Sequence, residues 1–289
     1  MTAPSVSFEF FPPKSDEMVE KLWQSVQLLA PLAPAFVSVT YGAGGGTRAR
    51  THATVRRIQT ETRLQAAAHL TCVGATREEV DEVARSYWAS GIRHVVALRG
   101  DPPEGQTEYV PTPGGYRFAA DLVAGLKRVA DFEISVAAYP EVHPEADSAE
   151  ADLDNLKRKL DAGATRAITQ FFFDNAAYAR FLDRAAAAGI AAPIVPGVMP
   201  VGNFARITQF AAACGTTVPK WLVDAFAGLD DDPDARREAA LDVAAAQCQG
   251  LLAGGANQLH FYTLNRADLT TDICGRIGLV PAPASENPQ

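Results

Sequence analysis

The sequence predicts an α/β fold: a (β/α)8 barrel of the TIM type, in one domain over residues 1–280, with a flexible tail over 281–289. Three observations predict it. Eight short apolar runs alternate with longer stretches of helical periodicity, with no break in composition. Most of the runs are nearly continuous in apolar residues, as strands covered on both faces are. One junction also recurs, a helical stretch closed by glycine with a strand a few residues on: Ser90-Gly91-Ile92, Ala162-Gly163-Ala164 and Ala188-Gly189-Ile190. Glycine suits the left-handed position that ends many helices.

The first strand is placed at Val6–Phe11, where Phe8, Phe10 and Phe11 surround Glu9 and Pro12-Pro13 follows at once. The second, Phe36–Tyr41, runs into Gly42-Ala43-Gly44-Gly45-Gly46. That run is read as a βα loop, because it lacks the Lys-Ser/Thr ending of a P-loop and the later acid of a dinucleotide fingerprint. The third, Ala66–Cys72, precedes Thr76-Arg77-Glu78-Glu79, a capping box, after which Val80, Val83, Ala84 and Tyr87 follow at helical spacing. The fourth, His94–Leu98, precedes Pro102–Tyr116, a Pro/Gly-rich segment long enough for a lid. Ile134–Tyr139, Ala167–Phe173, Ile194–Met199 and Gln258–Leu264 complete the set, the last preceded by a helical stretch over Asp234–Leu252. An open doubly wound sheet is the competing arrangement. It would carry its glycine fingerprint after the first strand, where Pro12-Pro13 stands.

Composition narrows the function. The 289 residues are 47% hydrophobic, ample for a core, and the net charge of −8 is dispersed, which argues against a nucleic-acid binder. No apolar run reaches the ~18 residues of a membrane span, and Met1-Thr2-Ala3-Pro4 does not open a signal peptide. Cys72, Cys214, Cys248 and Cys274 are far apart with no CxxC pair, which fits free thiols in a reducing cytoplasm.

In such a barrel the chemistry gathers at the C-terminal ends of the strands. Those ends carry Glu9, Thr40-Tyr41, His69 and Thr71, Arg99-Gly100-Asp101, Tyr139 through Glu145, Gln170 with Asp174, and Tyr262 through Arg266. Aromatic, amide and charged groups converging in this way suit a large polar ligand. Glu9, among phenylalanines, is expected to have its pKa raised by burial, as a general acid near neutral pH needs. A partly exposed glutamate on a first strand is the other reading. His69, Asp101, Glu141 and His143 are metal-ligand types, but Phe8-Glu9-Phe10 stands where a metal-dependent hydrolase barrel would place a close His pair, so no metal is expected. No Ser-His-Asp pattern or G-x-S-x-G elbow supports acyl transfer. His52, His94 and His260 read as structural. Asp152, Asn155 and Lys159 share one helical face, flanked by Arg158. An acid, an amide and two cations suit ribose hydroxyls and a pyrophosphate; a solvated helix face is the alternative.

Seven motifs carry a resemblance: SFEFFPPK from Ser7, FVSVTYGAGGGTR from Phe36, HLTCVGAT from His69, GIRHVVALRGD from Gly91, ISVAAYPEVHPEA from Ile134, LKRKLDAGATRAITQFFFD from Leu156 and HFYTLNRA from His260. With them, over nearly its whole length, the chain resembles the methylenetetrahydrofolate reductases in their bacterial single-domain form. The resemblance implies a (β/α)8 flavoprotein. It implies that NADH or NADPH reduces bound FAD, and that the reduced flavin converts 5,10-methylenetetrahydrofolate to 5-methyltetrahydrofolate by ping-pong turnover, for methionine synthesis. It also implies a homo-oligomer, often a tetramer.

Carried onto matching positions, the resemblance makes Glu9 the general acid that helps protonate N10 of the folate. Asp101 becomes the charge between flavin and pterin. It implies FAD contacts at Tyr41, Ala43, His69, Arg99, Gly100, Asp101, Ala119, Tyr139, His143, Ala146, Asp152, Asn155, Arg158 and Lys159. Thr40 resembles a nicotinamide contact and Gln170 a folate or nicotinamide contact. Phe210 is similar to a residue that stacks on the aminobenzoate, and Arg206 and Arg266 face the glutamate tail. Three features depart from the family pattern: Pro102–Tyr116 is longer, Phe118 stands in place of a tyrosine, and Arg206 in place of a glutamine. Two functions from other classes compete. A cofactor-free barrel lyase or aldolase would need a Schiff-base lysine or a metal at a strand end, and no strand interior carries a lysine. A non-catalytic folate- or flavin-binding barrel would be expected to lose the acid, whereas Glu9 is present.

Overall fold

The computed structural model describes residues 4–41, 48–102, 105 and 108–280; Ala43, the rest of the glycine-rich run and the tail 281–289 lie outside the described residues. Among the described residues nine strands form one parallel sheet: β1 (Ser5–Phe10), β2 (Phe36–Val39), β3 (Ala66–Thr71), β4 (His94–Leu98), β5 (Glu133–Ala138), β6 (Arg166–Thr169), β7 (Ile194–Val195), β8 (Gly197–Val198) and β9 (Gln258–Tyr262). Their order is β7-β6-β5-β4-β3-β2-β1-β9-β8. The two ends of that order are consecutive pieces of the single strand expected at Ile194–Met199.

The break falls at Pro196, which has no N–H to continue a ladder. Before it, β7 pairs with β6; after it, β8 pairs with β9. The Pro196 carbonyl still accepts from His260 N–H at 3.0 Å, and Gly197 N–H donates to Thr169 Oγ1 at 2.9 Å. One segment thus serves both neighbours and closes the sheet into a barrel. Glycine is required there: a Cβ at position 197 would stand 2.3 Å from the Thr169 carbonyl oxygen and 2.6 Å from the Tyr262 ring.

The helices are α1 (Asp16–Leu29), α2 (Arg48–Glu61), α3 (Arg77–Ala89), α4 (Ala119–Val129), α5 (Ala149–Asp161), α6 (Asn175–Ala187), α7 (Phe204–Cys214), α8 (Lys220–Phe226), α9 (Pro233–Ala253) and α10 (Ala267–Arg276). The capping box at Thr76 forms: Thr76 N–H donates to Glu79 Oε2 at 2.8 Å and Glu79 N–H to Thr76 Oγ1 at 3.3 Å. Gly91, Gly163 and Gly189 take φ of 82°, 116° and 76° at the three repeated junctions. The run Ala167–Phe173 pairs only as far as Thr169. Phe171, Phe172 and Phe173 stay buried beyond the strand, Phe172 stacked on Tyr178 with ring centroids 5.4 Å apart. Their apolar character serves packing, not pairing. No helix among the described residues is long and apolar enough to cross a membrane.

The core has two shells. The outer one lies between sheet and helices and includes Phe8, Phe10, Val39, Leu70, Tyr87, Leu126 and Phe261. The inner one, Phe36, Ala67, Val96, Ile168 and Val195, is small. Side chains alternate along a strand, so Phe8 and Phe10 point to the helices, and Ser7 and Glu9 point into the barrel. The lumen is therefore markedly polar.

Candidate active site

Glu9 lies at the end of β1 with its backbone clamped: Thr263 Oγ1 donates to the Glu9 carbonyl at 2.6 Å and Thr263 N–H at 3.2 Å. Its carboxylate Oε2 stands 3.2 Å from His69 Nε2 on β3 and 3.6 Å from His260 Nε2 on β9. Parallel pairing sets Ser7 opposite His260, and Ser7 Oγ lies 2.8 Å from His260 Nδ1. That contact turns the other ring nitrogen toward Glu9.

Burial alone would raise the pKa of Glu9, but the charge and hydrogen bonding of His69 and His260 outweigh it and bring it down to about 2. This corrects the expectation of a raised value. The flanking phenylalanines face away, and imidazoles surround the carboxylate instead. His260, read from sequence as structural, is thereby part of the candidate site. The available signal was topological: a closed barrel sets the last strand beside the first, so His260 and Tyr262 share the lumen with Ser7 and Glu9. His94 sits lower, its Nε2 2.8 Å from Ser135 Oγ. Burial, then Arg166 and the other two histidines, lower its pKa to about 3, so it stays neutral.

Gln170 and Thr40 follow directly on β6 and β2. Gln170 N–H donates to Ala138 O at 2.8 Å and Thr40 N–H to Phe10 O at 2.8 Å; both side chains are half-buried, and Tyr41 is buried. After β4, Gly100 takes φ +88°, and a Cβ there would meet Val73 Cγ1 at 2.5 Å. Only glycine makes this turn, which leaves the Asp101 side chain exposed at the mouth. Arg99 donates to both carboxylate oxygens of Glu145, at 2.5 and 2.9 Å, and to Gly100 O at 3.0 Å.

The helix face proposed for phosphate and ribose is partly turned inward. Asp152 Oδ2 accepts from His143 N–H at 2.9 Å, and Lys159 Nζ donates to Ala137 O at 2.5 Å. Both side chains are buried. Burial lowers the Lys159 pKa to about 8, with Arg158 adding to it and Asp152 opposing. Asn155 is half-buried and Arg158 exposed. Asp152 thus also shapes the loop after β5, in which Val142 takes φ +86°, a strained value for a β-branched residue. In that loop His143 packs edge-on to Tyr139 with centroids 4.6 Å apart, and Ala146 N–H donates to His143 O at 2.9 Å. Ala119 opens α4.

At the opposite side, Arg206 is exposed in the first turn of α7, its guanidinium carbon 5.2 Å from the Phe210 ring centroid. Arg266 lies beside Gly202, one guanidinium nitrogen 3.2 Å from where a Cβ would sit. Among the described residues neither guanidinium has a carboxylate partner.

A flavin dinucleotide needs donors for a diphosphate, partners for hydroxyls, and close approach of backbone. Arg99, His143, Asn155, Arg158 and Lys159 supply nitrogen donors on the loops and helices after β4 and β5. Thr71 Oγ1, at the end of β3, is buried without a partner. Gly100 has no room for a side chain. These residues fit such a group.

The sequence matches the family described as methylenetetrahydrofolate reductase over residues 2–278. It is 53% identical over 279 residues to the 5,10-methylenetetrahydrofolate reductase of Pectobacterium carotovorum, covering 96% of this chain and 91% of the relative. It is 53% identical over 277 residues to the Escherichia coli protein of that name, covering 96% and 92%. Among solved structures, an uncharacterised protein from Clostridium thermocellum, which binds two copies of 5-methyl-5,6,7,8-tetrahydrofolic acid, superposes with a TM-score of 0.62. The alignment covers 95% of this chain and 94% of that one, and at 13% identity it shows a shared fold alone. A family match across almost the entire barrel, with relatives this similar over nine-tenths of their length, makes the chain a member of the methylenetetrahydrofolate reductase family.

Proposed function

We propose that the protein reduces 5,10-methylenetetrahydrofolate to 5-methyltetrahydrofolate with NADH or NADPH, in ping-pong turnover on bound FAD. The observation that carries this reading is the buried Glu9 carboxylate held between His69 and His260, in a chain of this family. When bound, the flavin would take hydride from the nicotinamide and give it to the folate in turn. Tyr41, Ala43, His69, Arg99, Gly100, Asp101, Ala119, Tyr139, His143, Ala146, Asp152, Asn155, Arg158 and Lys159 are the residues we assign to holding it. Thr40, Asp101 and Gln170 would contact the reacting rings, and Arg206, Phe210 and Arg266 the aminobenzoate and glutamate tail.

Glu9 is ionised in the open site, so it takes up a proton before it can give one to N10 of the folate. Its Oε2 lies 3.2 Å from His69 Nε2 and 3.6 Å from His260 Nε2, and these rings orient the carboxylate that passes the proton on. A ligand over the mouth expels water and strengthens the burial effect that already favours neutral Glu9. Protonation at N10 opens the five-membered ring and leaves a cation at N5. The Asp101 carboxylate would stabilise that cation.

Homo-oligomeric assembly, as a tetramer, and a cytoplasmic location belong to the same proposal. The direct test supplies FAD, either nicotinamide and 5,10-methylenetetrahydrofolate to the purified protein and looks for 5-methyltetrahydrofolate by chromatography. Stoichiometric oxidation of one nicotinamide with formation of the methyl product is expected. No product with either nicotinamide refutes the assignment.

A further inference from the structure

Register pairing of β1 with β9 stops at Glu9 and Tyr262. Just beyond, the chain leaves the barrel through Pro12-Pro13, which have no N–H to offer a ladder. The next rung is Thr263 N–H on the Glu9 carbonyl, at 3.2 Å. A parallel ladder would then send Phe11 N–H to the Thr263 carbonyl and Asn265 N–H to the Phe11 carbonyl. Both of the β9-side groups are engaged elsewhere: Thr263 O accepts from Arg266 N–H at 2.8 Å, and Asn265 N–H donates to Thr263 Oγ1 at 3.1 Å.

The Asn265 side chain supplies the two rungs instead. Phe11 N–H donates to Asn265 Oδ1 at 2.8 Å, and Asn265 Nδ2 donates to Phe11 O at 3.0 Å. A carboxamide carries the donor and the acceptor of a peptide group on one carbon, so it continues the ladder after the backbone has turned away. That turn consists of two left-handed residues, Leu264 at φ +51° and Asn265 at φ +56°. Asparagine tolerates this conformation better than most residues that carry a side chain. From α1, Ser25 Oγ donates to Asn265 O at 3.2 Å, so the residue is itself held while its amide holds Phe11.

We propose that Asn265 is a positioning residue for Glu9 in the folate half-reaction, an inference that rests on the folate reading above. Thr263 Oγ1 joins it to the acid, accepting from Asn265 N–H and donating to Glu9 O at 2.6 Å. With Phe11 secured, Glu9 lies inside a paired stretch and not at a fraying strand end. The clamped edge faces β9, which also carries His260, whose Nε2 stands 3.6 Å from Glu9 Oε2. On the opposite edge Thr40 N–H donates to Phe10 O at 2.8 Å, a bond that does not involve Asn265. Removing the amide therefore loosens the acid without dismantling the sheet, and Arg266 keeps its turn on Thr263 O.

The test uses two variants. Asn265→Gly keeps the left-handed backbone and removes both rungs. Asn265→Asp keeps the acceptor for Phe11 N–H but turns a carboxylate oxygen to Phe11 O. Anaerobic stopped-flow mixing of the FAD-loaded protein reads the two half-reactions separately. In both variants the rate constant for flavin reoxidation at saturating 5,10-methylenetetrahydrofolate is expected to fall by about tenfold to a hundredfold, the scale of a misplaced reacting group. The folate concentration giving half that rate stays within about threefold of the parent, and reduction by the nicotinamide within about twofold. In the flavin-free protein, deuterium exchange at the Phe11 amide is expected to be about fivefold faster in Asn265→Gly, the value of one hydrogen bond. Equal slowing of both half-reactions makes Asn265 a structural residue and overturns the proposal. So does an unchanged folate rate, a loss confined to folate affinity, or unchanged exchange at Phe11. A parent protein whose flavin is reduced but passes nothing to the folate overturns the folate reading and the proposal with it. A parent active on the folate leaves that reading standing however the variants behave.

Discussion

Glu9→Gln separates the two opposed effects that act on this buried acid. Burial favours the neutral form, and the imidazoles of His69 and His260 favour the anion. The anion wins, with the pKa brought from 4.5 to about 2. That difference corresponds to roughly 3 kcal/mol of folding stability at neutral pH. Solvent screening takes little from it, because the side chain is only 13% exposed. The amide keeps the shape and one hydrogen bond, so a loss of about 2 kcal/mol is expected for the variant. The sign of the pH dependence follows from the depressed pKa. The carboxylate's contribution is present above about pH 4.5, the unfolded value, and is lost as pH falls through about 2. Urea unfolding of parent and variant, followed by circular dichroism from pH 7 downward, reads the difference directly. The gap is expected to be open at pH 5–7 and to close toward pH 2. A variant as stable as the parent at pH 7 would refute the reasoning, because burial would then outweigh the histidines.

Other perturbations probe the rest of the account. Asp101→Asn removes a negative charge at the mouth; it is expected to raise the flavin midpoint potential and slow the folate half-reaction, and an unchanged potential in a redox titration contradicts the electrostatic role. Ser7→Ala leaves His260 Nδ1 without its partner at 2.8 Å. It should cost about 1 kcal/mol and shift the pH profile of the folate half-reaction, while nicotinamide oxidation keeps its parent profile. Gly197→Ala forces a Cβ to within 2.3 Å of the Thr169 carbonyl at the barrel closure. A loss of about 1–3 kcal/mol or more is expected by thermal unfolding, and a parent-like melting temperature would show that the closure yields.

Much of the fold was legible because parallel strands covered on both faces write themselves as short apolar runs. Where the reading stopped, the missing quantity was pairing. Pro196 is visible in the sequence, but its use as the point where one segment changes neighbours depends on which strands lie beside it. Phe171–Phe173 look like more strand because burial and pairing leave the same apolar signature. At the site, Glu9 was found by its position, and its environment was misjudged from its neighbours in sequence. Period-two alternation sends Phe8 and Phe10 to the opposite face, and the groups that govern Glu9 come from β3 and, 251 positions away, from His260. Helical spacing correctly grouped Asp152, Asn155 and Lys159 on a face. It did not tell that Asp152 and Lys159 bind backbone at His143 and Ala137.

The central claim is that Glu9 serves the folate and not the nicotinamide. Anaerobic stopped-flow spectroscopy of the FAD-loaded protein resolves the two half-reactions by the flavin absorbance. In Glu9→Gln, bleaching by the nicotinamide is predicted to proceed at close to the parent rate, and recovery on mixing with 5,10-methylenetetrahydrofolate to be nearly abolished. Equal slowing of both half-reactions would contradict the claim and leave Glu9 a structural residue of the lumen.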